Sequence, residues 1–286
     1  MRIVVASGKG GTGKTTVATS LALSADNAVC FMDCDVEAPN AALFLNPAFD
    51  TRQDVGILLP VVDESQCTYC GNCAEVCEFH AIAVIGKKIQ VFPELCHGCG
   101  SCTWICPEKA INERLDVMGM LESGKSANGI DFERGVINVG EPMALPIIRE
   151  LKKWRGSPLQ VSCDIIEIRD APPGASCPVV ESIRGADFVL LVTEPTPFGL
   201  HDLKQVAGIA RKLCIPAGVV INRDGIGDNA VEDYCTEAGV PILLRIPMER
   251  RIAEAIAGGT PLVVAAPEYR TKFRTLLDSI TERLDA

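Results

Sequence analysis

The sequence predicts a doubly wound α/β fold with a mostly parallel sheet, interrupted by a small α+β insert. Three observations carry this reading. The chain opens with an apolar run, a glycine-rich loop, a helical stretch and a second apolar run. Eight of its fourteen cysteines then crowd between Cys67 and Cys106. Beyond them, apolar runs alternating with helical stretches resume and continue toward the C-terminus.

Residues 2–6 (Arg-Ile-Val-Val-Ala) form the short continuous apolar run of a strand covered on both faces. The loop 7–13 leads into a helix over Lys14–Ser24, and a second strand over 29–32 ends at Asp33-Cys34-Asp35. From about 60 to 112 the composition turns cysteine-rich, and the apolar runs at 81–85 and 88–92 are too short for βαβ units. Glycine-spaced segments at 115–121 and 135–139 suggest a hairpin. A helix over about 142–154 leads back to strands at 165–168, 188–193, 218–222 and 241–246, separated by helices near 200–213, 228–238 and 249–257. The expected division is 1–59 with 113–286 as the α/β domain, and 60–112 as the insert. The last helix, about 268–284, gathers Phe273, Leu276, Leu277, Ile280 and Leu284 on one face, which packs against the sheet. Its charges balance, with Arg270, Lys272, Arg274 and Arg283 set against Glu268, Asp278, Glu282 and Asp285. Membrane-surface helices are usually basic.

The net charge of −10 argues against broad nucleic-acid or anionic-membrane binding, which requires a basic face. No stretch approaches the roughly 18 apolar residues of a membrane span, and the N-terminus has no signal-peptide pattern. A cytoplasmic location follows as the expectation. In that reducing compartment clustered thiols serve as metal ligands rather than disulfides.

Cys67, Cys70, Cys73 and Cys77 follow the spacing C-x2-C-x2-C-x3-C, and Cys96, Cys99, Cys102 and Cys106 repeat it 29 residues later. Gly71 matches Gly100, and Ala81-Ile82 matches Ala110-Ile111, so the insert is an internal duplication. Three thiolates on a tight loop cap three irons of a cubane, and the fourth iron needs a sulfur from elsewhere. Zinc sites instead show two separated C-x2-C pairs. Over about 45 residues the insert resembles the two-cluster bacterial ferredoxins, in which the fourth cysteine of each run serves the other cluster. The resemblance implies two [4Fe–4S] clusters, one on Cys67, Cys70, Cys73 and Cys106, the other on Cys96, Cys99, Cys102 and Cys77. Pro107 follows Cys106 as that family expects, but Glu78 follows Cys77, which bears on the potential and exposure of one cluster. Tyr69, Phe79, Phe92 and Trp104 are expected to pack around the clusters. His80 and His97 are expected beside the ligands or at the surface rather than on iron.

Gly8-Lys9-Gly10-Gly11-Thr12-Gly13-Lys14-Thr15-Thr16 follows a strand and opens a helix. Glycines there let successive N–H groups turn onto phosphate oxygens, and the helix N-terminus adds its positive end. Lys14 is the expected partner of the β/γ-phosphates and the Thr15 hydroxyl of Mg²⁺. With Lys9, this loop resembles the deviant phosphate loop of MinD/ParA/Mrp ATPases, the SIMIBI-type P-loop NTPases that include the nitrogenase iron protein. In that family the early lysine reaches across a dimer, so the resemblance implies an ATP-sandwiched homodimer. It also implies that Asp35 positions the attacking water and that Asp33 lies in the outer metal sphere. Asp170-Ala-Pro-Pro-Gly174 matches the Mg²⁺-linked switch segment, with the Gly174 N–H sensing the γ-phosphate. Asn222-Arg223-Asp224 resembles the base-recognition segment, with Asn222 on adenine. The whole chain resembles MinD-superfamily ATPases containing an inserted ferredoxin domain, and 193–199 (Thr-Glu-Pro-Thr-Pro-Phe-Gly) with Asp202 fits that subgroup.

Cys177 follows the switch segment and is expected to be a buried structural thiol, with a redox or bridging role as the alternative. Cys163 matches no ligand position of the family. Cys30, Cys34, Cys214 and Cys235 are expected in the core or near the surface. The expected function is an ATPase that couples its nucleotide cycle to electron transfer through two clusters to a redox partner. An iron–sulfur assembly or carrier ATPase of the Mrp type is the alternative. A positioning role like that of partition ATPases finds no basic surface to support it.

Overall fold

The computed structural model describes residues 1–154 and 165–285. The first strands and helices are β1 (Arg2–Ala6), α1 (Lys14–Ser24), β2 (Val29–Asp33), α2 (Ala42–Leu45) and β3 (Ala48–Val62). The cysteine-bearing segment holds α3 (Asn72–Glu75), β4 (Ile82–Val84), β5 (Ile89–Val91), a 3-10 turn (Pro93–Leu95) and α4 (Ser101–Ile105). The chain returns through β6 (Ile111–Lys125), β7 (Asp131–Ile137), α5 (Leu145–Lys153), β8 (Ile166–Asp170), α6 (Cys177–Ile183) and β9 (Phe188–Thr193). It finishes with α7 (Pro197–Lys212), β10 (Ala217–Asp224), α8 (Ala230–Ala238), β11 (Ile242–Pro247), α9 (Arg250–Ala257), α10 (Leu262–Ala265) and α11 (Glu268–Asp285).

One sheet has the order β11-β10-β9-β1-β8-β2-β7-β6-β3, and β4 pairs with β5 in a separate hairpin. Pairing is parallel from β11 through β7 and antiparallel for β7–β6 and β6–β3. The parallel strands are apolar along their length because helices cover both faces. On one face α1, α10 and α11 bury Leu21, Leu262 and Phe273 against Ile3, Val5, Phe31 and Phe132. On the other, α6, α7 and α8 place Val179, Leu203 and Val231 against Val4, Val189 and Leu191. The predicted face of α11 is inward: Phe273, Leu276, Leu277 and Ile280 are buried and Leu284 is partly so. Each such side chain contributes roughly 1.5–3 kcal/mol. Arg270 and Arg274 donate to the carbonyls of Leu23 and Ser24, satisfying the open C-terminal end of α1.

The predicted hairpin after the insert exists but is longer, running through β6 and β7. Strand β3 was not anticipated. Its first half is exposed and polar (Asp50-Thr51-Arg52-Gln53-Asp54), so it lacks the apolar run of a buried strand. It pairs with β6 from Ala48 opposite Lys125 to Val62 opposite Ile111. β6 pairs with β7 only from Gly119 to Lys125, so the outer part of the β3–β6 pair is a two-stranded ribbon. A register shift at Val55/Gly56 marks where the ribbon leaves the sheet. The cysteine-rich segment sits at its tip. At the root, Glu122 accepts from Arg52 and Arg134, and Arg134 also stacks on Phe49.

Candidate functional site: a phosphate loop and two four-cysteine cavities

The glycine-rich loop lies at the C-terminal edge of the parallel strands, where doubly wound folds bind ligands. Gly11 and Gly13 have φ of 78° and 87°, the left-handed region that glycine favours, and Gly13 is the N-cap of α1. A pocket of about 420 Å³ opens there, lined by Lys9 through Thr16 and by Asp35. Its opposite wall is apolar and comes from Met248, Ile252 and Ile256 around the start of α9.

Asp170, fully buried at the end of β8, ties the loop together. Lys14 Nζ donates to its Oδ1 and Thr15 Oγ1 to its Oδ2, both at 2.6 Å. Burial works to lower the Lys14 pKa, but the Asp170 carboxylate outweighs it and the net shift is upward. Lys14, Thr15 and Asp170 thus stand together at the mouth of the loop. Asp35 lines the pocket, and burial raises its carboxyl while Lys14 opposes the shift. Asp33 is buried, with Oδ1 accepting from the Asp35 N–H and Oδ2 from the Ala41 N–H. Burial, with repulsion from Asp170 behind it, pushes its pKa up to about 8. Asp33 therefore shapes the loop that presents Asp35.

Gly174 and Asn222 are likewise engaged within the chain. The Gly174 N–H donates to Ser7 O at 2.9 Å, so sensing a γ-phosphate requires that bond to break. Asn222 lines the pocket, but its Nδ2 donates to Thr12 O at 2.7 Å and its Oδ1 accepts from the Arg223 N–H. A Cβ on Gly13 would stand 2.3 Å from that Nδ2. Asn222 thus braces the loop from beside it. Lys9 is folded onto its own chain: its Nζ lies 3.0 Å from Glu194 Oε1. Arg223 holds the other Glu194 oxygen at 3.0 Å and donates to Gly11 O. Gly8 is set by a close approach, since a Cβ there would meet Asp202 at 2.4 Å. The sequence reading gave no role to Glu194, Arg223 or the 248–256 wall. The apolar face of the 249–257 helix, so close to Asn222-Arg223-Asp224, was the available signal.

At the ribbon tip the cysteines fall into two sets. Cys67, Cys70, Cys73 and Cys106 line one cavity, and Cys77, Cys96, Cys99 and Cys102 line the other. Each run thus sends its fourth cysteine to the partner run. The duplication extends to the backbone: Tyr69 and Gly98, Gly71 and Gly100, and His80 and Lys109 all have positive φ. It extends to the sulfurs too. Tyr69 N–H donates to Cys67 Sγ and Gly98 N–H to Cys96 Sγ, both at 3.4 Å. Ala81 N–H donates to Cys77 Sγ and Ala110 N–H to Cys106 Sγ, both at 3.3 Å. Four thiols around one space, with amides aimed at sulfur, fit a [4Fe–4S] cluster in each cavity. Among the described residues no three His, Cys, Asp or Glu stand as a site for a single metal ion. The Ser101 hydroxyl holds the Cys99 thiol below its usual range.

Of the aromatic residues, Tyr69 and Phe79 line the cavities and Phe79 stacks on His97 at 3.7 Å, whereas Phe92 lines neither. Trp104 is 91% exposed, because α4 is a single short turn that points it outward, and does not pack on a cluster site. Cys177 is exposed at the start of α6, which overturns the buried reading. Cys30, Cys34 and Cys235 are buried and Cys214 is exposed. Cys163 lies outside the described residues.

A parallel sheet, a glycine loop on a helix N-terminus, and a lysine–threonine–aspartate cluster define a P-loop ATPase of the MinD/ParA type. Residues 3–262 match the CobQ/CobB/MinD/ParA nucleotide binding domain, and the chain belongs to that family. An uncharacterized protein of Methanocaldococcus jannaschii is 34% identical over 91% of this chain and 90% of its own length. An iron-sulfur cluster carrier protein of Pyrococcus horikoshii is 25% identical, covering 99% of this chain and 86% of that one. Among solved structures, the septum site-determining protein MinD of Pyrococcus horikoshii, complexed with Mg-ADP, superposes with a TM-score of 0.58. It is 20% identical and the match covers 98% of this chain and 95% of that one, a likeness of fold. No helix among the described residues is long and apolar enough to cross a membrane.

Proposed function

We propose that this ATPase couples its nucleotide state to electron transfer through two [4Fe–4S] clusters, passing electrons to or from a redox partner protein. The reading assigns 1–59 and 113–286 to the ATPase and 60–112 to the cluster module. One observation supports coupling above the others. The Ile137 N–H donates to Val36 O at 3.0 Å, joining the loop that follows Asp35 to the hairpin that carries the module. Gly135, beside it, is packed so closely that a Cβ would meet Val36 and Ile147 within 2.8 Å. Movement of Asp35 on nucleotide exchange therefore bears on β7 and, through it, on the ribbon.

In this reading Lys14 holds the β/γ-phosphates, while Thr15 and Asp170 hold Mg²⁺. Asp35 orients water, and Lys9 leaves Glu194 to reach the nucleotide of a second copy. Each cluster, when bound, supplies a one-electron carrier. The cysteine sets hold it, and the backbone N–H groups on Cys67, Cys77, Cys96 and Cys106 stabilise charge on sulfur. The test is to load the protein anaerobically with iron and sulfide, then measure both midpoint potentials with ATP, ADP and no nucleotide. A nucleotide-dependent shift supports coupling, and identical potentials in all three states defeat it.

A second reading, delivery of clusters to an apo-protein, draws support from the carrier proteins among the relatives. Retention of iron against a chelator separates the two. Clusters kept on the chain favour electron transfer, and clusters lost to an acceptor favour delivery.

A further inference from the structure

The duplication in the cysteine segment allows its two halves to be compared atom for atom. Each cavity has four thiols and two backbone N–H···S bonds. Each has one carboxylate in its wall, Glu113 in the set with Cys96 and Glu108 in the set with Cys67. Among several differences between the halves, including Thr103 beside Cys102 where the other run has Ala74, one is a hydroxyl placed on a ligand sulfur. Cys99 Sγ lies 3.4 Å from Ser101 Oγ. The matching position in the other run, two residues after Cys70, is Asn72, and no such bond joins Asn72 to Cys70 among the described residues. A thiol donates to the serine oxygen, but a thiolate on iron has no proton, so there the hydroxyl donates to sulfur.

The two sites also differ in depth. Gly98, next to the Cys96 set, abuts the ribbon at Ile57, where a Cβ would stand 2.9 Å from the isoleucine Cβ. Cys77 and Cys96 pack with Ile57, Met118 and Met143, which belong to the ribbon and to the segment leading into α5. The Cys67 set lies against Val62 and Ile111 at the outermost ribbon pair. The Cys96 set is the inner site and the Cys67 set the outer one.

We propose that Ser101 makes the two sites inequivalent, raising the reduction potential of a cluster on Cys77, Cys96, Cys99 and Cys102 above that of its twin. A hydrogen bond to a ligand sulfur stabilises the more negative, reduced state. An electron from a low-potential one-electron donor then rests at the inner site, next to the ATPase. In that transfer the donor loses one electron and the inner site gains one, with no bond made or broken and no proton moved. The inference rests on the two-cluster reading above and adds which site holds the electron.

The test is a redox titration of the cluster-loaded full chain followed by electron paramagnetic resonance, with iron content matched between variants. Ser101→Ala is expected to lower the higher of the two midpoints by roughly tenfold in the reduction equilibrium, about 59 mV for one electron, leaving the lower unmoved. Ser101→Thr, which keeps the hydroxyl, is expected to hold the parent value. Asn72→Ser is expected to raise the lower midpoint and narrow the gap. If Ser101→Ala moves neither midpoint, or moves only the lower one, the assignment is overturned. Nucleotide dependence is read separately. A silent Ser101→Ala beside an ATP-dependent shift defeats the tuning alone, whereas a shifted midpoint without ATP response supports the tuning and defeats only the coupling. Parent protein that takes up no iron overturns both.

Discussion

Lys9 and Glu194 form an ion pair at 3.0 Å within one chain, and Arg223 grips the same carboxylate from its other side. Glu194 is 5% exposed, so the acceptor is fixed and the lysine is the movable partner. A lysine that serves a second subunit must first leave this contact. Lys9→Ala is expected to leave ATP binding within a few-fold of the parent while hydrolysis falls by about 10³, the scale of a cation supplied across an interface. Glu194→Gln is expected to favour the dimer by several-fold, since a partly exposed pair is worth only about 1 kcal/mol. Light scattering against ATP-analogue concentration, with phosphate release, checks both.

Among the described residues Asp170 is the one carboxylate bonded to both Lys14 and Thr15. Removing it leaves the lysine charge buried without its partner, so Asp170→Ala is expected to cost about 3–5 kcal/mol in the nucleotide-free protein. Mg-ADP supplies a replacement anion for Lys14 and is expected to restore part of that loss. Denaturant unfolding with and without Mg-ADP measures it. A variant equally destabilised in both conditions counts against Lys14 as the phosphate ligand.

The crossed cysteine sets make a pairing prediction that single variants do not. Cys106→Ser combined with Cys67→Ser strikes one site twice and is expected to spare about four of roughly eight irons. Cys106→Ser combined with Cys96→Ser strikes both sites and is expected to abolish most iron binding. If each run served its own cluster, the two outcomes would exchange.

Glu122 anchors the ribbon root. Burial works to raise its carboxyl, but Arg134 and Arg52 outweigh it and the net pKa lies below the ordinary 4.5. A lowered carboxyl contributes stability that is present above the unfolded pKa and lost as pH falls through the folded value. The parent is expected to lose stability progressively below about pH 4.5, and Glu122→Gln to show a flatter acid limb. At neutral pH the variant is expected to be less stable by about 1 kcal/mol, since Arg52 and Arg134 keep contact with water that screens the charges left behind. Urea unfolding at several pH values reads the slope.

The apolar parallel strands and the glycine loop were legible because a strand covered on both faces has to be apolar and a phosphate loop has to be glycine-rich. Both cysteine sets were legible by resemblance because the two runs carry the spacing of the two-cluster ferredoxins, whose fourth cysteines cross. β3 was not, since its exposed half draws its stability from the ladder with β6 rather than from its own composition. The Glu194 contact was equally hidden, because residues so far apart in sequence meet only when β9 and β10 are aligned beside β1. Trp104 misled because an aromatic beside a cysteine reads as packing until the short helix beneath it shows which way it faces.

Gly56 sits at the register shift where β3 and β6 part from the sheet, and a Cβ there would stand 1.7 Å from Asp116 O. The bend is therefore written into a backbone contact that no other residue permits. Beyond that point the two strands pair only with one another, braced at their base where Asn138 donates to the carbonyls of Val117 and Met118. The place where the thiol-bearing arm leaves the sheet is thereby fixed by backbone, which sets where its tip stands relative to the nucleotide pocket.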